Sequence, residues 1–148
     1  MRALREPSIR LHEDVELAVA YLKVQQIRLG ARLTLEIDVS PEAGEARVPP
    51  LTVTTLVENA VKHGIAPLPE GGAVCIVARC IGQAARVQIA DTGQGFQVTA
   101  GSGVGLGNIR ARLATLHGAS AELTLSANTP HGVIATVVVP LPQAVSQQ

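Results

Sequence analysis

The sequence has few aromatic residues and no excess of charge of either sign. Tyr21 and Phe96 are the whole aromatic content of the 148 residues, and twelve basic side chains balance twelve acidic ones. Nucleic-acid binding needs a basic surface or aromatic stacking platforms, so the composition argues against nucleic acid as a partner. Hydrophobic residues nevertheless make up 47% of the chain, which suffices for one aliphatic core. The composition predicts a single globular domain.

Long hydrophobic runs and paired cysteines are also missing. No apolar run approaches the roughly 20 residues that span a bilayer, and the N-terminus lacks the apolar stretch of a secretion signal. Cys75 and Cys80 fall on opposite faces of one predicted strand, so they cannot easily form a disulfide. The four histidines are scattered, without the spacing of metal ligands. These absences predict a soluble, monomeric chain in a reducing cytosol.

Hydrophobic periodicity predicts a mixture of helices and strands. The predicted helices are Leu11–Leu29, Leu51–His63 and Leu106–His117, and the predicted strands are Leu33–Ile37, Val74–Ala78, Ala85–Ala90, Ala121–Ser126 and Val133–Val139. Gly30, Gly64 and Gly118 are expected to end the three helices. Because several strands follow one another directly, this order favours a mixed, largely antiparallel sheet covered on one face by three helices. The predicted fold class is therefore an α+β two-layer sandwich.

Six of the fourteen glycines lie between Gly93 and Gly107, yet the common glycine-rich signatures do not fit. A P-loop needs a lysine directly after its last glycine, and neither Lys23 nor Lys62 follows a glycine. A dinucleotide-binding fingerprint fails because its last glycine position is occupied by Asn108. No serine occupies a nucleophile elbow, so acyl transfer has no visible nucleophile either.

Three other segments are candidates for a ligand site: Leu56–Gly64, Asp91–Gly95 and Gly101–Asn108. The first places four polar residues on one helix face, as a solvated surface also would: Glu58, Asn59, Lys62 and His63. Asp91 ends an apolar strand just before Gly93, where an aspartate often forms a turn instead of binding a ligand. The third segment opens a helix, whose free N–H groups favour phosphate, although a flexible linker would have the same composition.

Taken together and in this order, the segments resemble the N, G1 and G2 boxes of an ATP-binding superfamily. That superfamily includes gyrase, the heat-shock chaperone, mismatch-repair ATPases and sensor histidine kinases. Within it, Val48–Pro50, Leu56–Gly64 and Gly105–Leu113, with Tyr21 and Arg28 upstream, are similar to the catalytic domain of LytS-type sensor histidine kinases. The resemblance implies a Bergerat-type α/β sandwich over residues 11–142, preceded by a linker remnant (1–10) and followed by a frayed tail (143–148).

The resemblance also implies roles for the polar residues of the first segment. Glu58 would orient or deprotonate the attacking group. Asn59 would hold the Mg²⁺ that bridges the phosphates of ATP. Lys62 and His63 would reach phosphate oxygens.

The other two segments would bind the base and the phosphates. Asp91 would accept a hydrogen bond from the adenine amino group, and Gly93 and Gly95 would let the backbone approach the base. The phosphates would be cradled by the glycine-rich segment and the start of the third helix, namely Gly101, Gly103, Gly105 and Leu106. This segment would form a lid over the nucleotide.

The chain departs from the family pattern at several points. Thr54 and Thr55 stand where the family usually has Gln-Pro, and Phe96–Ala100 makes a very short lid. The family's phosphoacceptor pattern, His-Phe-x-Phe-Asn, does not precede Leu11, and His12 lacks that context. The resemblance therefore predicts a catalytic domain whose phosphoacceptor lies elsewhere.

The predicted function is to bind Mg²⁺–ATP and to donate its γ-phosphoryl group to a histidine on a separate dimerisation domain. That domain would pass the phosphoryl group to a response regulator. The parent kinase is expected to be membrane-anchored, with this domain on the cytoplasmic side. Two alternatives stay open: a stand-alone serine kinase of the anti-sigma type, and an interaction module that senses ATP without transferring phosphate.

Overall fold

The computed structural model describes residues 7–95 and 102–142. In chain order the described elements are β1 (Ile9–Arg10), α1 (Leu11–Leu29), β2 (Leu33–Val39), β3 (Arg47–Val48), α2 (Thr52–Asn59), β4 (Gly72–Ile81), β5 (Ala84–Asp91), α3 (Ser102–His117), β6 (Glu122–Ala127) and β7 (Val133–Pro140). A π-helical turn, Ala60–Ile65, continues α2. Three α-helices and a sheet thus form the described part of the chain, which confirms the predicted two-layer sandwich.

The main sheet is mixed and mostly antiparallel, as predicted. Its strand order is β2-β4-β5-β7-β6. Only the pair β2 and β4 is parallel, with Leu33 opposite Gly72, and the other neighbours are antiparallel. β1 and β3 form a separate antiparallel pair. This topology places the end of β5, at Asp91, beside the start of β7, at Val133.

The core between the sheet and the helices is aliphatic. On β4, Val74 and Ile76 are fully buried, whereas the alternate residues Cys75 and Val77 are partly exposed on the outer face of the sheet. The helices contribute apolar side chains at helical spacing, including Leu11, Val15, Ala18 and Leu22 of α1. Both cysteines are free. Within residues 7–95 and 102–142, no helix has the length and hydropathy to cross a membrane.

Two predicted helix boundaries are wrong. α3 begins at Ser102 and not at Leu106, because the glycines before Leu106 adopt helical backbone although they add nothing to the apolar pattern. The second helix continues beyond Gly64 as a π-helical turn, in which the Ala66 N–H bonds the Val61 carbonyl at 2.8 Å. This continuation buries Ile65 completely, so Gly64 does not end the helix.

Two residues before α1 are held against the rest of the chain. Ile9 and Arg10 pair with β3, and the Arg10 N–H donates to Glu13 Oε1 at 2.9 Å at the start of α1. The division into a linker remnant, a domain and a tail stays a prediction. Gly30 and Gly118 end α1 and α3 as predicted, with φ of 61° and 63°.

Candidate functional site

A buried carboxylate lies at the end of β5. Asp91 is 4% exposed, and its Oδ1 accepts hydrogen bonds from the N–H groups of Gly93 at 2.8 Å and Val133 at 3.3 Å. Among the described residues, Oδ2 receives no hydrogen bond. The local turn expected of an aspartate before a glycine is thus present, but it uses only one carboxylate oxygen. The other oxygen can accept a hydrogen bond from a ligand.

Two glycines let the Asp91 turn approach the π-helical turn. A Cβ on Gly64 would lie 2.9 Å from Asp91 Oδ1, and a Cβ on Gly93 would lie 2.3 Å from the carbonyl carbon of Gly64. The two backbones are also joined by hydrogen bonds from Gln94, whose N–H donates to the Gly64 carbonyl at 3.1 Å and whose side chain donates to the His63 carbonyl at 2.8 Å. The predicted first and second motifs therefore meet directly.

The β6–β7 hairpin holds the same turn from the other side. The Asn128 side chain donates to the Asp91 carbonyl at 2.8 Å, and His131 Nδ1 lies 2.7 Å from the Gly93 carbonyl oxygen. A Cβ on Gly132 would lie 1.9 Å from the Asp91 carbonyl oxygen. Sequence patterns did not predict a role for these three residues. Their only signal is a glycine between two strands, because their partners lie far away in the chain.

Burial and charge affect the acidity of Asp91 in opposite directions. Burial raises the pKa of its carboxyl group above the ordinary 3.8, while the two backbone hydrogen bonds and the positive charge of His131 act to lower it. The net pKa is raised. Buried carboxyl groups with shifted pKa values are frequent at functional sites. The raised pKa of Asp91 and its position where the first two motifs meet therefore both favour a functional role for this residue.

The four polar residues predicted on one helix face are found on α2 and the π-helical turn. Glu58 and Asn59 are partly exposed, Lys62 and His63 are exposed, and Ala60 between them is buried. Glu58 lies near Tyr21 of α1: burial and the Glu58 charge raise the pKa of the Tyr21 hydroxyl, and Arg28 opposes them. Tyr21, upstream of the motifs in the sequence, is thus a neighbour of Glu58, the predicted catalytic base.

The third motif contacts α2 at Thr55, the residue just before the first motif. A Cβ on Gly105 would lie 3.6 Å from Thr55 Cγ2, an ordinary contact between α3 and α2. The helix α3 includes Gly103, Gly105 and Leu106. The predicted glycine-rich loop therefore ends before Ser102, the first residue of α3. The first N–H groups of a helix lack intrahelical partners, so phosphate could still bind there. Gly101 and the predicted lid Phe96–Ala100 lie outside the described residues.

Thr55 occupies a position where the family usually has proline. Its N–H donates to the Leu51 carbonyl at 3.0 Å, a helical hydrogen bond that a proline could not make. The hydroxyl of Thr54 is buried and has no hydrogen-bond partner among the described residues. The departure from Gln-Pro therefore leaves the helical turn before Glu58 regular.

The protein contributes few hard ligands for a metal ion. Within the described residues, no three His, Cys, Asp or Glu side chains form a metal cluster. Mg²⁺ bound to a nucleotide takes most of its oxygen ligands from phosphate and water and needs only one or two from protein. The partly exposed amide of Asn59, on the face shared with Glu58, fits that donor set.

Sequence comparison places the chain in a known family. The family described as "Histidine kinase-, DNA gyrase B-, and HSP90-like ATPase" matches residues 50–143, which include all three motifs. The chain belongs to this family. The family's ATPase domain implies ATP binding, and Asp91 lies inside the matched region.

The relatives of this ATPase domain are sensor histidine kinases. The chain is 35% identical to the sensor histidine kinase BtsS of Escherichia coli strain K12 over 113 residues, which cover 74% of the chain and 20% of that protein. It is 26% identical to the sensor protein LytS of Bacillus subtilis strain 168 over 159 residues, covering 97% of the chain and 26% of LytS. The chain therefore spans a fifth to a quarter of the length of these relatives.

Solved structures share the fold of the ATPase domain. The mycobacterial sensor histidine kinase MprB aligns with a TM-score of 0.68 at 19% identity, over 92% of this chain and 97% of that one. The catalytic domain of the histidine kinase ThkA aligns with a TM-score of 0.66 at 14% identity, over 91% and 96%. At these identities the alignments establish the fold, which is that of histidine kinase catalytic domains.

Proposed function

We propose that the domain binds Mg²⁺–ATP and donates its γ-phosphoryl group to a histidine on a separate dimerisation domain of a two-component sensor kinase. That dimerisation domain then passes the phosphoryl group to a response regulator. The observation that carries the proposal is Asp91, a buried carboxylate with one oxygen bonded by Gly93 and Val133 and the other without a hydrogen bond from any described residue. A carboxylate can only accept hydrogen bonds. It therefore suits the amino group of adenine and repels the carbonyl oxygen of guanine.

The residues around α2 have distinct roles in this proposal. The amide of Asn59 supplies one ligand to Mg²⁺, and Lys62 and His63 bind phosphate oxygens. Bound Mg²⁺ would neutralise charge on the phosphates during transfer. The N–H groups that open α3, including those of Gly103 and Gly105, bind phosphate as an anion at a helix N-terminus.

Glu58 acts on the acceptor. In the transfer, an imidazole nitrogen forms a bond to the γ-phosphorus while the bond from that phosphorus to the β,γ-bridging oxygen breaks, and ADP leaves. Glu58 orients the imidazole or accepts its proton. The chain's part in catalysis is thus to position two reactants and to hold one proton.

Calorimetric titration with ATP and GTP tests the adenine assignment. Asp91→Asn is expected to weaken ATP binding by about 1.5–3 kcal/mol, the contribution of a hydrogen bond to a charged group. Asp38→Asn is the matched control, because Asp38 is an exposed aspartate paired with Arg79 on the sheet surface. Equal affinities of the unaltered domain for ATP and GTP would refute the assignment.

Radiolabelled ATP distinguishes the proposal from the two open alternatives. With a purified phosphoacceptor domain of a LytS-type kinase, the proposal predicts an acid-labile phosphohistidine. An acid-stable phosphoserine on a partner protein would instead identify a serine kinase. ATP binding with no transfer to either acceptor would leave the ATP-sensing module.

A further inference from the structure

Helix α2 begins without a capping side chain of its own. The residue before it, Leu51, is apolar, half exposed and left-handed, with φ of 70°. The first N–H groups of a helix need acceptors from elsewhere. Since α2 carries Glu58 and Asn59, whatever binds its N-terminus affects the position of both.

The missing cap comes from α1. Asp14 is completely buried; its Oδ1 accepts a hydrogen bond from the Leu51 N–H at 3.0 Å and its Oδ2 accepts one from the Val53 N–H at 2.7 Å. A negative charge at this end of the helix is also favoured by the helix dipole. In the sequence Asp14 looks like one of several acids at the start of α1, but the structure uses it to cap α2.

Helix α3 holds the same end of α2. Arg112 Nη1 donates to the carbonyl of Pro50 at 3.1 Å. Burial raises the pKa of the Asp14 carboxyl group, and the positive charge of Arg112 opposes this shift. The three helices are thereby joined at one point. α3 is also the helix whose first residues belong to the predicted phosphate-binding segment.

The other end of the helical segment is held independently. There, Gly64 of the π-helical turn packs against Gly93 and Asp91 and accepts a hydrogen bond from Gln94. Glu58 and Asn59 lie between these two attachments, about two turns beyond Leu51. The adenine-facing attachment does not depend on the capping attachment.

We propose that Asp14 and Arg112 are positioning residues that hold Glu58 and Asn59 in register with the phosphate-binding start of α3. The inference rests on the proposed function. Loss of either side chain would let the first turns of α2 shift while the Asp91 pocket stays intact. Binding of the phosphates and Mg²⁺ should therefore weaken far more than binding of the base.

Three probes on purified variants separate these effects: adenosine, ATP with EDTA, and ATP with Mg²⁺. Asp14→Asn and Arg112→Met should each weaken Mg²⁺–ATP binding about tenfold or more, since small misplacements of binding groups are costly. Adenosine binding should change by less than about twofold, as for an independent site. Hydrogen exchange at Leu51 and Val53 should become faster in Asp14→Asn.

Matched controls come from the same helices. Arg110 also bonds a backbone carbonyl, that of Leu123 at 3.3 Å, but on β6 and away from α2. Glu16 is an acid on α1 that is exposed and faces His12. Arg110→Met and Glu16→Gln should leave all three affinities unchanged.

The outcomes test the proposed function and the positioning role of Asp14 and Arg112 separately. If the unaltered domain does not bind Mg²⁺–ATP, the proposed function fails. If it does, but Asp14→Asn and Arg112→Met weaken adenosine and Mg²⁺–ATP equally or not at all, the positioning role is overturned while the proposed function stands. Should Asp14→Asn not fold, Arg112→Met decides the question with the same probes.

Discussion

Replacing Gly93 by alanine should damage both the fold and the nucleotide pocket. The new Cβ would lie 2.3, 2.4 and 2.5 Å from the carbonyl carbon, Cα and oxygen of Gly64. All three atoms belong to the backbone, so no side-chain rotation can relieve the overlap. The two segments would have to separate by about 1 Å to reach an ordinary contact distance. Gly93 is not among the positive-φ residues, so this penalty is steric and not conformational.

The size of the effect follows from what the separation breaks. Overpacking costs about 1–3 kcal/mol, and each weakened hydrogen bond adds about 1 kcal/mol. The bonds affected are those from Gln94 to the Gly64 and His63 carbonyls. We expect Gly93→Ala to lower the free energy of unfolding by about 3–5 kcal/mol, measured by urea denaturation followed by circular dichroism.

Gly107→Ala is the matched control for Gly93→Ala. Gly107 lies in α3, and a Cβ there would meet nothing within 4 Å. Alanine should therefore stabilise the domain by about 0.5–1 kcal/mol through helix propensity alone. Gly64→Ala is a milder test, because its Cβ would meet the Asp91 carboxylate at 2.9 Å and not a backbone atom, and it should chiefly weaken ATP binding. Equal stabilities of Gly93→Ala and the unaltered domain would refute the close backbone approach.

Three other outcomes concern the metal, the pH dependence and a thiol. Asn59→Ala should abolish the Mg²⁺ enhancement of ATP binding and leave adenosine binding nearly unchanged in calorimetry; a retained enhancement would exclude Asn59 as the ligand. ATP affinity should fall as the pH drops through the raised pKa of Asp91, because protonation removes the negative charge that accepts the amino hydrogen. The charge of His131 lowers the pKa of Asp91, so His131→Gln should move this loss of affinity to higher pH. Burial and the Glu36 carboxylate raise the pKa of the Cys75 thiol, so Glu36→Gln should speed its alkylation by iodoacetamide, as followed by mass spectrometry.

The Asp91 carboxyl group links pH to folding with the opposite sign. A folded-state pKa above the unfolded value means that the folded protein binds the proton more tightly. Its contribution to stability therefore rises as the pH falls through the raised pKa, while ATP affinity declines. Loss of ATP binding at acid pH with retained folding would distinguish titration of Asp91 from acid unfolding.

The sequence predicted the elements whose evidence is local. The apolar spacing and terminal glycine of α1 gave both of its ends, Leu11 and Leu29, and alternation gave the sheet strands to within a few residues. Periodicity failed at the start of α3 because Ser102–Gly105 contributes no apolar stripe. It also failed at the π-helical turn, since burial of Ile65 overrides the terminator expected at Gly64.

The supporting residues of the site could not be predicted because their partners are distant in sequence. Asp14 bonds Leu51 and Val53, and its neighbours Glu13 and Glu16 have the same character on paper. Only the rotation of α1 against the core decides which acid is buried. His131, just before β7, likewise reaches the Gly93 carbonyl just beyond the end of the neighbouring strand β5, although the two residues are distant in sequence. Such contacts are properties of the packed fold.

Glycine content alone proves a poor guide to where the backbone must come close. The glycine-rich segment drew attention in the sequence, yet Gly107 has open space around its Cβ position and Gly105 only an ordinary contact. Around Asp91, a side chain is excluded at Gly64, Gly93 and Gly132, which lie in three different segments of the chain. These three are far apart in the chain and become a group only in the fold. Close packing of backbone around one buried carboxylate, and not the density of glycines along the sequence, therefore decides where this chain cannot carry a side chain.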